Sequence, residues 1–151
     1  MPRARPAALA GVLRLVADTN TVVSALLWHG APHRLFQAIE RDELSFYASR
    51  ALIDELADVL ARRKLAAAVK ASGKSVSALV AEYRALVEPV RPRALRRHIG
   101  RDPDDEAVIA CAVAARAELI VSGDQDLLVL KAYRRIRIVS AAEALMITGG
   151  R

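Results

Sequence analysis

Four short aliphatic runs, each closed by a polar residue, recur along the chain: VLRLVAD (Val12–Asp18), LSFYAS (Leu44–Ser49), ELIVSGD (Glu118–Asp124) and RIRIVS (Arg135–Ser140). Each is too short for a stable helix and rich in residues that suit a buried strand. The stretches between them carry helical spacing instead. Val22, Val23, Leu26 and Leu27 share one face of TNTVVSALLWHG, with Gly30 as a stop. Leu35, Phe36 and Ile39 share one face of APHRLFQAIERDE. Leu52, Ile53, Leu56, Val59 and Leu60 form a stripe on RALIDELADVLARRKL, which Ser49 can cap. A turn at Ser72–Gly73 separates the end of that helical region from another helix starting near Ser75, and a short strand is possible at Val87–Val90. AVIACAVAARA, DLLVLKAYR and AAEALMITG read as further helices. Alternation of this kind predicts an α/β fold, a parallel sheet covered by helices on both faces.

A chain of 151 residues is one domain's worth of sequence and can bury a real core. Its 23 basic and 17 acidic residues give a net charge of +6, which favours a polyanionic or acidic partner. The lone Cys111 excludes an intramolecular disulfide and fits a reducing cytoplasm. No apolar run approaches the roughly 20 residues of a membrane span. The N-terminus is not read as a signal peptide, because Arg14 interrupts its apolar run and Asp18 soon follows. Neither GxxxxGK[ST] nor GxGxxG occurs, so nucleotide hydrolysis and dinucleotide redox chemistry have no support.

Against this basic background the carboxylates are placed with a pattern. Asp18 ends the first strand and Asp124 the strand ELIVSG, while Asp102, Asp104, Asp105 and Glu106 open the helix that leads into that strand. Glu55 lies a turn and a half into the helix after the second strand; Asp54 points away from it around the helix, and Asp58 lies a turn further on. In an open parallel sheet, ligands bind beyond the carboxyl ends of the strands, where the strand order reverses. Two carboxylates about 4 Å apart repel by roughly 4 kcal/mol at an effective dielectric near 20. A divalent cation removes that conflict, and hard oxygen donors suit Mg²⁺ or Mn²⁺ rather than zinc. Such an ion can activate water against a phosphodiester. The bland role of the same acids is to cap helices and complement their dipoles, which accounts well for Asp104, Glu106 and Asp126. An Asp-Pro turn is an equal account of Asp102.

Taken in order, the segments LVADTNTVVSALL, YASRALIDELADVLARRKL and DPDDEAVIACAVAARAELIVSGDQDLL resemble the PIN-domain ribonucleases, in particular the VapC-like toxin components of bacterial type II toxin–antitoxin pairs. The resemblance runs from about Val16 to Leu130. It implies a single-domain three-layer α/β/α sandwich over 12–148, with a mostly parallel sheet of order 3-2-1-4-5 and an N-terminal extension at 1–11. It also implies Mg²⁺- or Mn²⁺-dependent cleavage of RNA, a cognate antitoxin protein and a homodimer. Asp18, Glu55, Asp105 and, more weakly, Asp124 would hold the metal, with Asp18, Glu55 and Asp105 catalytic. Asn20 and Ser122 would orient carboxylates or water. Glu106 departs from the Asn usual after the third acid, and Ser122 stands where Thr is common.

Outside those blocks, RPRALRRHIGR sets Arg91, Arg93, Arg96, Arg97 and Arg101 directly before the acidic cluster. Arg96, Arg97 and Arg101 are the candidates for RNA backbone binding. ARRKL and KAYRRIR are expected to be exposed faces, and His29, His33 and His98 lack metal-ligand spacing. Two rival readings stand beside the endoribonuclease. One is a catalytically silent PIN-like module that binds RNA or protein. The other is a phosphotransfer domain built on an aspartyl phosphate, which ranks last because Asp18 is followed by Thr19 and Asn20 rather than by a second acid.

Overall fold

The computed structural model describes residues 12–41, 43–93 and 103–149. In chain order these form β1 (Leu13–Ala17), α1 (Thr19–Leu27), α2 (Ala31–Glu40), β2 (Leu44–Ala48), α3 (Arg50–Leu60), a 3-10 turn (Arg63–Leu65), α4 (Ala66–Ala71) and α5 (Val76–Leu86). They continue with β3 (Val87–Pro89), α6 (Pro103–Ala115), β4 (Leu119–Val121), α7 (Gln125–Leu128), β5 (Ala132–Tyr133), β6 (Ile136–Val139) and α8 (Ala141–Gly149). The strands build one sheet of order β3-β2-β1-β4-β6-β5, parallel throughout except that β5 runs antiparallel to β6. The five parallel strands thus follow the expected order, and β5 is an added edge piece.

Strand periodicity divides the core into two layers. Leu13, Leu15 and Ala17 of β1, Leu44 and Phe46 of β2, and Leu119 and Val121 of β4 point to one face, where they meet α1, α2, α3, α5 and α8. Val16, Tyr47, Ile120 and Ile138 point to the other, against Val108, Ile109 and Ala112 of α6. Burial on both faces explains why β1, β2 and β4 read as near-continuous apolar runs. Each fully buried aliphatic or aromatic side chain contributes about 1.5–3 kcal/mol relative to exposure.

Helix starts follow the sequence. Ser49 accepts from Leu52 N–H at 3.3 Å and Ser75 from Ala78 N–H at 3.0 Å, capping α3 and α5. Two helices end earlier than their sequence segments suggest. RALIDELADVLARRKL stops at Leu60, because continuing its stripe by i+4 from Val59 and Leu60 would turn Arg63 and Lys64 into the core. The chain instead passes through an extended Arg62 (φ −69°, ψ 145°) and returns Leu65 to the apolar cluster. DLLVLKAYR is helical only to Leu128. Lys131 adopts φ 62°, its carbonyl accepts from Ile138 N–H at 2.9 Å, and Ala132–Tyr133 pair with β6. Satisfying the outer edge of β6 prevails over local helical preference.

Candidate active site

The site lies at the carboxyl ends of β1 and β4, the neighbouring strands between which the sheet order reverses. Asp18 follows β1, and its backbone N–H donates to Val121 O at 3.0 Å, tying the two strand ends together. Its side chain also has structural duties. Oδ1 accepts from Thr21 N–H at 3.0 Å and caps α1, while Oδ2 accepts from the Ser122 hydroxyl in a short hydrogen bond. Ser122 is fully buried, and its Oγ also accepts from Asp124 N–H at 2.9 Å.

The other acids arrive from separate elements. Glu55 projects from α3 and accepts from Thr19 Oγ1 at 2.7 Å. Asp105 sits in the first turn of α6, and only 7% of its surface is exposed, the same as for Asp18. Asp124 caps α7, its Oδ1 accepting from Asp126 N–H at 2.9 Å. Asp18, Glu55, Asp105 and Asp124 line one cavity of about 140 Å³, together with Asp104, Asn20, Thr19 and Arg62. Val59 and Val108 supply its apolar wall.

All four proposed metal-holding residues and Asn20 therefore converge, with Ser122 supporting them from behind Asp18. Asp54, Asp58 and Asp126 are exposed and outside the cavity, and Glu106 is half-buried beside it without lining it. Arg91 and Arg93 are exposed. Arg96, Arg97, Arg101, Asp102 and the 1–11 segment lie outside the described residues. Three lining residues were not assigned to the site from sequence: Asp104, read as a helix-end acid; Thr19, passed over beside Asp18; and Arg62, expected to be exposed and found so, yet lining the cavity. No helical spacing signals Arg62, because α3 ends before it.

The donor set is carboxylate, amide and hydroxyl oxygen, the chemistry of a hard divalent cation. Among the described residues no three His, Cys, Asp or Glu side chains stand together as a ready ligand shell. The cavity has room for several waters as well as an ion. That room suits an ion such as Mg²⁺, which dehydrates reluctantly and takes few protein ligands. Away from the cavity, Cys111 is buried in α6, and burial pushes its thiol up to about 12 despite opposing hydrogen bonds from Ser49.

A family model described as PIN domain matches residues 14–126. The matched span runs from β1 into α7 and includes Asp18, Glu55, Asp105, Ser122 and Asp124. No curated protein matches the chain. PIN domains are in general nucleases and typically use divalent metals. With this match over most of its length, and with a mostly parallel sheet whose carboxylates gather at the β1–β4 edge, the chain belongs to the PIN-domain family.

Proposed function

We propose that this protein is a metal-dependent endoribonuclease and serves as the toxin of a toxin–antitoxin pair. The observation that carries the proposal is the meeting of Asp18, Glu55, Asp105 and Asp124, from four separate parts of the chain, around one small cavity. These residues would hold Mg²⁺ or Mn²⁺, which when bound supplies an activated water and neutralises charge at the phosphodiester. The chain's own contribution is orientation. Ser122 fixes one oxygen of Asp18 and the α1 N-terminus fixes the other. Thr19 holds Glu55, so the one hydroxyl side chain lining the cavity is engaged as a donor rather than poised as a nucleophile.

The partners in this reading are RNA, a cognate antitoxin and a second copy of the chain, within the cytoplasm. Among the described residues no helix is long and apolar enough to cross a membrane. A groove of about 740 Å³ between α1, α2, α4 and α5, with Leu26, Leu27, Phe36 and Leu86 in its wall, offers an antitoxin segment an apolar seat. The second reading is a PIN-like module that binds RNA or protein without cleaving.

Labelled RNA incubated with purified protein and Mn²⁺, with and without chelator and beside Asp18→Asn, decides between them. Chelator-sensitive cleavage that disappears in the variant is the expected result. Tight RNA binding without cleavage in any divalent metal would establish the binding module instead.

A further inference from the structure

Arg62 is the single cation among the described residues that line the carboxylate cavity. An arginine there invites a simple account, as counter-ion to the acids. The contacts contradict it: Arg62 makes no ion pair with any described acid, although Asp18, Glu55, Asp104, Asp105 and Asp124 all line the same space. Ion pairs joining two described residues include the exposed Lys74–Glu82 and Arg137–Glu143.

The backbone explains how Arg62 comes to be there. Glu55 and Val59 line the cavity from one face of α3 at i and i+4, and Arg62 lines it from just beyond the helix end. The helix ends at Leu60, and extended Arg62 is the hinge between it and the 3-10 turn. Arg62, Arg63 and Lys64 are all exposed, but of the three only Arg62 lines the cavity. The Glu55 carboxylate enters the cavity from within α3, and the Arg62 guanidinium enters it from the extended residue beyond the helix end. The guanidinium shares the cavity without pairing with its acids, so it can meet a part of the ligand other than the one held at the carboxylates. Guanidinium groups pair bidentately with phosphate oxygens and remain charged at any working pH.

We propose that Arg62 binds a backbone phosphate of single-stranded RNA flanking the one that reacts, and so sets the path of the strand across the site. The proposal rests on the endoribonuclease reading. It makes Arg62 a substrate-binding residue whose contact is the same in ground and transition states, so its loss acts on KM and leaves kcat nearly unchanged.

The test measures binding apart from cleavage. Fluorescence anisotropy with a labelled single-stranded RNA, in Mg²⁺ over a range of salt, is run on Asp18→Asn and on the same protein carrying Arg62→Ala, Arg62→Lys or Arg63→Ala. Arg62→Ala should weaken binding about tenfold and lower the slope of log affinity against log salt by about 0.7, the share of one phosphate contact on a single strand. Arg62→Lys should keep the slope, and Arg63→Ala should change it much less. In the active background Arg62→Ala should raise KM with little change in kcat. Binding and slope untouched by Arg62→Ala, or changed equally by Arg63→Ala, overturn the role of Arg62 alone. A fall in kcat at constant KM overturns it too. If Asp18→Asn shows no salt-dependent RNA binding at all, the endoribonuclease reading falls together with this one.

Discussion

The Ser122 hydroxyl donates to Oδ2 of Asp18 while its oxygen accepts the backbone N–H of Asp124 at 2.9 Å. One buried side chain thus joins the end of β1 to the turn after β4, and couples two of the acids that line the cavity. Ser122→Ala would leave a nearly buried carboxylate oxygen short of its donor, at a cost of about 1–3 kcal/mol. Because Ser122 supports a candidate metal-holding residue from behind, cleavage in Mn²⁺ should fall about 10- to 100-fold. Ser122→Thr, which keeps the hydroxyl, should retain most of both. Urea midpoints and initial rates check the pair of effects; a rate loss of the same size in the threonine variant would count against the hydrogen bond.

Asp18 has two separable tasks, and substitution can divide them. Its Oδ1 caps α1 through Thr21 N–H at 3.0 Å, a role that Asn fills nearly as well as Asp. Without metal, Asp18→Asn should therefore melt close to the parent or slightly above it, since one charge leaves an acidic cavity. Asp18→Ala loses the cap and should be less stable by about 1 kcal/mol, a fall of about 2–4 °C in Tm. Both variants should lose the upward Tm shift that Mn²⁺ gives the parent. Thermal melts in chelator and in Mn²⁺ read all of these; an unchanged Mn²⁺ shift in Asp18→Asn would remove Asp18 from the metal site.

Alkaline pH should expose the burial of Cys111. Its thiol is raised from the ordinary value of 9.0 to about 12, chiefly by burial. The unfolded chain loses that proton first, so the folded state holds more protons across the interval. The contribution is complete below pH 9 and is lost as pH rises toward 12, by about 1.4 kcal/mol per pH unit. Buried Tyr83 is raised for the same reason and steepens the loss in parent and variant alike. Between about pH 9 and 10.5 the parent should lose roughly 2 kcal/mol more than Cys111→Ala in urea titrations. Parallel losses would show that the thiol ionises freely in the folded protein.

The C-terminus of α6 contains a strained residue whose relief is measurable. Ala117 N–H donates to Ala112 O at 2.9 Å and Arg116 N–H to Val113 O at 3.1 Å, which close the helix with Arg116 at φ 53°. That left-handed position usually belongs to glycine. Arg116→Gly should add about 1 kcal/mol, or about 2–4 °C in Tm, with no effect on the distant cavity. A drop in Tm would mean that the exposed arginine stabilises the protein by more than its backbone costs.

Much of this architecture could be read in the residues, and the exceptions share a cause. Short aliphatic runs and helical stripes reveal the alternating layers, and Ser49 and Ser75 mark two helix starts before any coordinates are seen. The strand order came from the family resemblance and not from periodicity. The end of α3 at Leu60 was not read from the sequence, which carries helix-forming residues through Leu65. The shortening of α7 depends on hydrogen bonds that β6 lacks until β5 supplies them, a demand made by distant chain. Asp104 and Arg62 are likewise ordinary in their own segments, a helix-start acid and a helix-end cation. Only the approach of α3 and α6 to the same strand ends gives them a shared space.

The two rims of the sheet have a consequence for behaviour at high concentration. On one side β3 is three residues long and closes on exposed Pro89, which has no amide hydrogen to offer. On the other, β5 is two residues long and leads into Arg134, whose φ of 55° turns the backbone away. Among the described residues neither rim presents a run of free amides long enough to template an incoming strand, so the two sheet edges give fibre growth by edge-to-edge addition little foothold.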